Sequence, residues 1–242
     1  MSHEVARAGS RAISTLTVSK GHISALVIAP DGTWLAVASG MTVSIWSIDG
    51  TPRATLTGHK STVTGLAIAP DGTWLATGSV DGAARIWAAD GTPRVTLTGN
   101  RRRLTTVAIA PDGSWLTTAC GKTTQIWASD GAPRATLASG NGTDVAIAPD
   151  GTWLAAAGGK TMQIAAADGT PRVTVASTGH KLVARVAIAP DGTWLATAGS
   201  ADGTVRLWGL QGVCRATFTG RMPWVPAGAV IGTRLAIAPD GS

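Results

Sequence analysis

The chain has 242 residues, of which 44% are hydrophobic and 14% charged, and its formal net charge is +6 at pH 7. This length is sufficient for a large core. It has no apolar run of the ~18 residues that a membrane helix needs, and its N-terminal sequence MSHEVARAGSRAIS lacks the apolar stretch of a secretory signal.

A segment of eight residues dominates the chain from the N-terminal third onward. The sequence Ala-Pro-Asp-Gly-Thr-Trp-Leu-Ala begins at Ala29, Ala69, Ala148 and Ala189, and Ala110 opens a close copy. The prolines of these five copies lie 38–41 residues apart. A period of this length is typical of a stacked or radial array of repeats.

One repeat can be divided into four predicted strands, at residues 63–69, 74–79, 84–87 and 94–98. Pro-Asp-Gly, Asp-Gly and Asp-Gly-Thr-Pro segments separate the strands, and these have the chemistry of tight turns. Four antiparallel strands in about 40 residues form one propeller blade rather than one turn of a solenoid. The predicted fold is therefore all-β, a β-propeller of four-stranded antiparallel blades.

Five blades should be complete and a sixth incomplete. After a flexible tail at residues 1–10, a single propeller domain would span 11–242. The complete blades would lie near 18–57, 58–98, 99–138, 139–176 and 177–219.

The predicted sixth blade joins residues 220–242 to residues 11–17, which resemble a lone fourth strand. It would lack its two middle strands, and open strand edges favour self-association. We therefore expect a fragment of a longer protein, a ring that closes imperfectly, or a chain that associates.

Two recurring features suggest a known family. Gly-His pairs precede the first strand at His22, His59 and His180, and the third strand ends in Trp46, Trp87, Trp127 and Trp208. With the repeated turns, these features resemble the WD-repeat β-propeller family. The Asp that follows Trp in that family is absent, and the near-identical, Ala- and Gly-rich repeats resemble those of bacterial regulatory proteins that act in signalling.

The resemblance implies a buried network in each blade, formed by a His, a Ser or Thr, a turn Asp and the Trp. Two blades keep all four residue types, and the predicted sets are His59, Ser79, Asp81 and Trp87, and His180, Ser200, Asp202 and Trp208. The first blade lacks the Asp, and the fourth carries Ala165 in place of Trp. We expect blades 2 and 5 to be the most stable.

No motif predicts catalysis. The histidines occur once per blade, as network members would, and no carboxylate or thiol cluster is spaced to make them metal ligands. The Asp residues of the turns repeat identically, which indicates turn formation rather than a unique acid–base pair. We expect no enzyme activity, cofactor or metal. Two cysteines at non-equivalent repeat positions, Cys120 and Cys214, favour thiols in a reducing compartment, the cytoplasm.

The charges segregate between the two ends of the predicted propeller. At the end formed by the fourth-to-first and second-to-third strand loops, cations outnumber Asp81, Asp144 and Asp202. The opposite end is rich in turn Asp residues, which serve turn formation and solubility. The candidate partner-binding cations are Lys60, Arg101, Arg102, Arg103, Lys122, Lys160, Lys181 and Arg221.

These cations favour a protein or peptide partner that is acidic or phosphorylated. Nucleic acid is disfavoured, because Arg101–Arg103 is a single triplet without interleaved exposed aromatics. The leading hypothesis is a noncatalytic interaction scaffold or sensor module. One alternative is a quinoprotein-like enzyme or cofactor binder, which would need unique polar residues in the central channel. Another is a truncated repeat array without independent function.

Overall fold

The structure, a computed structural model, describes residues 22–98, 103–138, 142–200 and 202–219. These residues form twenty β-strands, arranged as five sheets of four antiparallel strands, and contain no helix. Each sheet is built from four consecutive strands paired in chain order. The predicted all-β fold of four-stranded antiparallel blades is confirmed.

Blade 1 contains β1 (Ile23–Ile28), β2 (Trp34–Ser39), β3 (Thr42–Ser47) and β4 (Pro52–Leu56). Blade 2 contains β5 (Val63–Ile68), β6 (Trp74–Ser79), β7 (Ala84–Ala88) and β8 (Pro93–Leu97). Blade 3 contains β9 (Leu104–Ile109), β10 (Trp115–Cys120), β11 (Thr123–Ala128) and β12 (Pro133–Ala138). Blade 4 contains β13 (Gly142–Ile147), β14 (Trp153–Gly158), β15 (Thr161–Ala166) and β16 (Pro171–Val175). Blade 5 contains β17 (Val183–Ile188), β18 (Trp194–Gly199), β19 (Thr204–Gly209) and β20 (Cys214–Thr219).

The strand prediction for blade 2 differs from the structure by one residue at four strand ends, two of which belong to β8. Strand β5 ends at Ile68 because Ala69 already belongs to the turn, where its N–H donates to the carbonyl of Trp74. Strand β8 begins at Pro93, which pairs with Trp87 next to an irregularity in the register. Proline is tolerated here because β8 is the outermost strand and needs no further partner. Strand β7 extends one residue further, to Ala88.

The first strand of each blade is the innermost one. Strand β5 lies against β1 on one side and β9 on the other, and β13 likewise lies between β9 and β17. Hydroxyl groups on these strands join consecutive blades. Ser24 donates to the carbonyl of Val63 at 2.7 Å, and Thr64 donates to that of Leu104 at 2.7 Å. The strands therefore form a continuous inner wall.

Four hydrophobic clusters fill the spaces between consecutive blades. Between blades 1 and 2, for example, Val43 and Ile45 pack against Val63 and Leu66. The core of this protein thus lies between sheets, and each blade depends on its neighbours for burial. The tail at 1–10 and the predicted incomplete blade, at 11–17 and 220–242, lie outside the described residues. The domain limits stay predictions.

Candidate functional site

One end of the blade array is formed by two kinds of loop that meet between blades. The hairpin turn that follows the second strand of one blade contacts the loop that leads into the first strand of the next. Val63 donates its N–H to the carbonyl of Gly40 at 2.8 Å, and Val183 does the same to Gly159 at 2.7 Å. Residues of both loop types therefore share one surface, which we call the basic end.

Five candidate cations lie on the basic end within the described residues, and all five are exposed. They come from the two kinds of loop that form this end, the fourth-to-first loops and the second-to-third hairpin turns. They are Lys60, Arg103, Lys122, Lys160 and Lys181. The other predicted cations, Arg101, Arg102 and Arg221, lie outside the described residues.

The carboxylates on the basic end have hydrogen-bond partners of their own. Asp81 accepts hydrogen bonds from the backbone N–H groups of Lys60 and Ala83, at 2.7 and 2.8 Å. Asp202 accepts from the backbone N–H of Lys181 and from the Thr204 hydroxyl, at 3.0 and 2.8 Å. Within the described part of the chain, the lysine and arginine side chains of the basic end form no ion pair with these carboxylates. Both ion pairs there involve histidine.

The carboxylates of the opposite end form turns, as the sequence predicts. Each accepts a hydrogen bond from the backbone N–H of the residue two positions later, and the set is Asp31, Asp49, Asp71, Asp90, Asp112, Asp130, Asp150, Asp168 and Asp191. The donor to Asp31, Asp71 and Asp191 is a Thr, and its backbone N–H lowers the pKa of the carboxyl group below the usual value. These carboxylates therefore stabilise the turns in which they lie.

A buried hydrogen-bond network occupies the loop end of blade 2. His59 Nδ1 lies 3.2 Å from an Asp81 carboxylate oxygen, and His59 Nε2 lies 2.8 Å from the Thr77 hydroxyl. The indole N–H of Trp87 donates to the same hydroxyl at 2.9 Å. Since a carboxylate only accepts, the imidazole Nδ1 carries the proton, and Thr77 donates to Nε2 while it accepts from Trp87.

Blade 5 repeats this network. His180 Nδ1 lies 3.2 Å from an Asp202 oxygen, and Nε2 lies 2.9 Å from the hydroxyl of Thr197, to which Trp208 donates at 2.8 Å. Thr204 adds a hydroxyl 2.9 Å from Nδ1. Burial lowers the pKa of both His59 and His180, although each carboxylate opposes that change. Both imidazoles are therefore neutral near pH 7.

Burial would raise the pKa of Asp202, but hydrogen bonds and the nearby imidazole outweigh it. The Thr204 hydroxyl and two backbone N–H groups stabilise the carboxylate, and the pKa falls to about 2. The pKa of Asp81 is also lowered, against the effect of burial, by the N–H groups of Lys60 and Ala83. Both aspartates stay ionised and hold their histidines in one tautomer.

The hydroxyl member of each network is a correction to the sequence interpretation. Ser79 and Ser200 were the predicted members, whereas Thr77 and Thr197 hold that position in the structure. Trp87 pairs with Leu75 across the strands, so its indole reaches the diagonal neighbour Thr77.

Ser79 lies two residues further along β6, about 7 Å away. It accepts from the Asp81 N–H and donates to the Ser61 carbonyl instead. Ser200 follows β18 in an exposed turn. The sequence signal for the correct residue is a Thr three positions after the Trp that opens the second strand.

The residue at this position also explains why the networks of the other blades are incomplete. In blade 3 it is Thr118, and Trp127 donates to it at 3.1 Å. In blade 4 it is Ala156, and its diagonal neighbour is Ala165, which stands where the other blades have Trp. In blade 1 it is Val37, and the indole N–H of Trp46 is buried with no hydrogen-bond partner.

The comparison with protein families agrees with these repeats. The model of the family described as "WD domain, G-beta repeat" matches residues 12–47, 50–88, 91–128 and 169–209, which together are more than half of the chain. The chain belongs to the WD-repeat family. No match was found among curated proteins. Residues 129–168, which contain Ala156 and Ala165, lie outside the four matched segments.

WD-repeat domains generally mediate protein–protein interaction or act as scaffolds, and they are typically noncatalytic. The described residues of this WD-repeat chain hold no cluster of three or more metal-ligating side chains. Within the same residues, no helix is long and apolar enough to cross a membrane. Cys120 and Cys214 do not form a disulfide with each other.

The inner wall of the WD-repeat array contains a polar cluster that the sequence interpretation missed. Asp144, which the sequence analysis counted among the acidic residues of the basic end, is buried in β13. It accepts a hydrogen bond from the Thr106 hydroxyl in β9 at 3.1 Å and from the Val186 N–H in β17 at 2.9 Å. One side chain thus joins three blades.

Arg185 holds in β17 the position that Asp144 holds in β13, and its positive charge favours the ionised form of Asp144. Burial nevertheless raises the pKa of Asp144 above its usual value, because hydrogen bonds and Arg185 compensate only in part. The first strands of blades 3, 4 and 5 all end in the apolar residues Val-Ala-Ile. Thr106, Asp144 and Arg185 all precede those residues.

The unpartnered indole of blade 1 provides a test of the network. Val37→Thr should place a hydroxyl beside Trp46 and stabilise the protein by about 1 kcal/mol, the usual net value of such a bond. Val43→Thr is the matched control, because it buries a hydroxyl in the neighbouring strand away from the indole. We expect thermal denaturation to show a higher melting temperature for Val37→Thr and a lower one for Val43→Thr, each relative to the wild type. The gain should disappear in a Val37→Thr/Trp46→Phe double variant.

Proposed function

We propose that the protein is a noncatalytic interaction scaffold that binds an anionic segment of a partner protein on the basic end. The observation that supports this most directly is the asymmetry between the two ends. Lys60, Arg103, Lys122, Lys160 and Lys181 are exposed at one end, where the neighbouring carboxylates are held by backbone donors and histidines. Their charge is therefore available to a partner.

The distribution of these cations favours an extended ligand. Lys60 belongs to blade 2, Arg103 and Lys122 to blade 3, Lys160 to blade 4, and Lys181 to the loop that enters blade 5. A single compact anion would contact one or two of them, whereas an acidic or phosphorylated peptide could lie across several blades. Arg101, Arg102 and Arg221 would extend the same surface.

The partner should be recognised mainly by its negative charge. Lysines act as point charges, and arginine adds bidentate recognition of phosphate or carboxylate. The affinity should therefore decrease as salt is added. The bacterial signalling context and the cytoplasmic location belong to this proposal, and they rest on the resemblance of the repeats and on the two thiols.

A charge-neutralised variant tests the proposal. Replacing Lys60, Arg103, Lys122, Lys160 and Lys181 with Gln should weaken binding of a fluorescent phosphorylated, Glu-rich peptide by on the order of tenfold or more, since each exposed pair is worth about 0.2–1 kcal/mol. The salt dependence of binding should become flatter. Fluorescence anisotropy at several salt concentrations measures both effects.

The opposite end supplies a matched control with the same number of charges. Its five exposed arginines are Arg53, Arg94, Arg134, Arg172 and Arg215. Their replacement with Gln should leave binding much less affected. An equal loss of affinity in both variants would show non-specific attraction, and no loss in the first would contradict the proposal.

A third variant, with Ala at Arg101, Arg102 and Arg103, measures the contribution of the arginine triplet to binding. We expect this contribution to dominate.

The cofactor-binding alternative has less support. Its requirement was a unique polar cluster in the inner wall, and Thr106, Asp144 and Arg185 form one. The two hydrogen bonds of Asp144 hold neighbouring strands together, and its side chain is buried. The cluster therefore fits a structural role better than a ligand site.

A further inference from the structure

Consecutive blades pack through two complementary faces. The trailing face of a blade, toward the preceding blade, is formed in blade 2 by Val63, Leu66, Leu75 and Trp87. The leading face of the preceding blade presents small and β-branched residues of its second and third strands, which in blade 1 are Ala36, Ala38, Val43 and Ile45. Equivalent residues pack between blades 4 and 5, so the same interface recurs along the chain.

The trailing face of blade 1 has the same chemistry but is open. Leu26 corresponds to Leu66, Val107, Val145 and Val186, which are 5–8% exposed, whereas Leu26 is 46% exposed. Leu35 and Trp46 are half-buried, although their equivalents in blade 2, Leu75 and Trp87, are buried.

Further apolar side chains extend this open face. Ile23, Ile28 and Ile48 are among the most exposed large hydrophobic residues of the described chain. Their equivalents in blade 2, Val63, Ile68 and Ala89, belong to the cluster between blades 1 and 2. An exposed apolar patch of this kind marks an interaction surface.

The leading face of blade 5 is open in the complementary way. Phe218 is 55% exposed, whereas its equivalents in blades 1, 2 and 3, which are Leu56, Leu97 and Leu137, are at most 4% exposed. Val205 and Leu207 are half-buried in β19, while the equivalent residues of blade 1, Val43 and Ile45, are buried. The described array therefore ends in one face of each kind.

We propose that the trailing face of blade 1 of one molecule packs on the leading face of blade 5 of a second copy. This head-to-tail contact would repeat the interface that already joins the blades within the chain, and both of its halves are present on one molecule. Such an interface uses different surfaces on the two partners, so it either closes into a ring or continues into a longer assembly. The proposal is independent of the basic end.

The test uses one disrupting substitution on each face. The wild-type protein should form assemblies at micromolar concentration, with a mass that is a multiple of 24.4 kDa. Leu26→Asp and Phe218→Asp should each reduce the mass to that of one chain, because a carboxylate cannot be buried without a partner. Light scattering coupled to size-exclusion chromatography measures the masses.

Mixing the two variants gives the decisive result. Leu26→Asp keeps an intact leading face and Phe218→Asp keeps an intact trailing face, so an equimolar mixture should form a dimer and stop there. Val213→Asp is the control and should assemble as the wild type does, because Val213 is an exposed apolar residue that belongs to neither face.

Three results would overturn the proposal. The wild type could remain monomeric, as it would if residues of its own chain cover both faces. The mixture could fail to form a dimer although both variants melt cooperatively. A single variant could assemble like the wild type. If Leu26→Asp does not fold, Ile28→Asp replaces it, because Ile28 is more exposed and belongs to the same face.

Discussion

Thr77→Val should be one of the most destabilising single substitutions in blade 2. The change keeps the shape of the side chain but removes the hydroxyl that accepts from Trp87 and donates to His59. Both partners are buried, so each would lose a bond that water cannot replace. An unsatisfied buried polar group costs about 1–3 kcal/mol, and this variant creates two. Thr197→Val should have a similar effect in blade 5.

Chemical denaturation measures the loss of stability in Thr77→Val, and hydrogen exchange of the β6 and β7 amides shows whether that loss lies in blade 2. Local measurement matters because repeat arrays can unfold in parts. Ser79→Ala is the matched control. It removes the bonds to Ser61 and Asp81, but the imidazole and indole keep their partner, so a loss of about 1 kcal/mol is expected. If Ser79→Ala were the more damaging change, the assignment of Thr77 would be wrong.

Asp144 should respond in opposite ways to two substitutions. Asp144→Leu leaves the buried Val186 N–H without its acceptor and should cost about 1–3 kcal/mol. Asp144→Asn removes the buried charge but keeps an amide oxygen for Val186 and an NH₂ group that can donate to Thr106. We expect the stability of the Asn variant at pH 7 to equal or exceed that of the wild type.

The pH dependence gives the second half of this prediction. Burial raises the pKa of Asp144 in the folded protein above 3.8, so the folded state favours its protonated form. The stability that this group contributes is fully present below its unfolded pKa of about 3.9 and is lost as the pH rises through the folded pKa.

The free energy of unfolding of the wild type, relative to Asp144→Asn, should therefore fall as the pH rises from below about 4 toward neutrality. Urea denaturation of both proteins across this range measures the difference, and the comparison cancels the titration of the exposed turn aspartates. A difference that stays constant or increases with pH would show that Asp144 is not penalised by burial.

The strands and turns could be predicted from residues 63–98 because their determinants are local. Asp71 is held by the hydroxyl and N–H of Thr73 within one turn, and Gly72 adopts the positive φ of 69° that this turn requires. Repetition of that segment was enough to predict the blade fold. The ends of β5, β7 and β8 shifted by one residue, which depends on pairing across the sheet.

The candidate site could be predicted less completely. Loop positions place Lys60, Lys122, Lys160 and Lys181 on one end as soon as the strand order is known. The network hydroxyl was assigned to Ser79 from the resemblance to the family, which calls for a Ser or Thr without fixing the cross-strand geometry. The choice of Thr77 depends on the diagonal between two strands, which appears only when the register of Leu75 and Trp87 is known.

The sequence by itself determined the four-stranded blade, its turns and the family, because each follows from residues within one repeat. Only the tertiary structure decided that Asp144 is buried, since its partners Thr106 and Val186 belong to two other blades. It also decided which apolar side chains are covered. Leu26 and Leu66 occupy the same place in the repeat, but Leu66 has blade 1 to pack against, and burial depends on the neighbouring blade rather than on the residue itself.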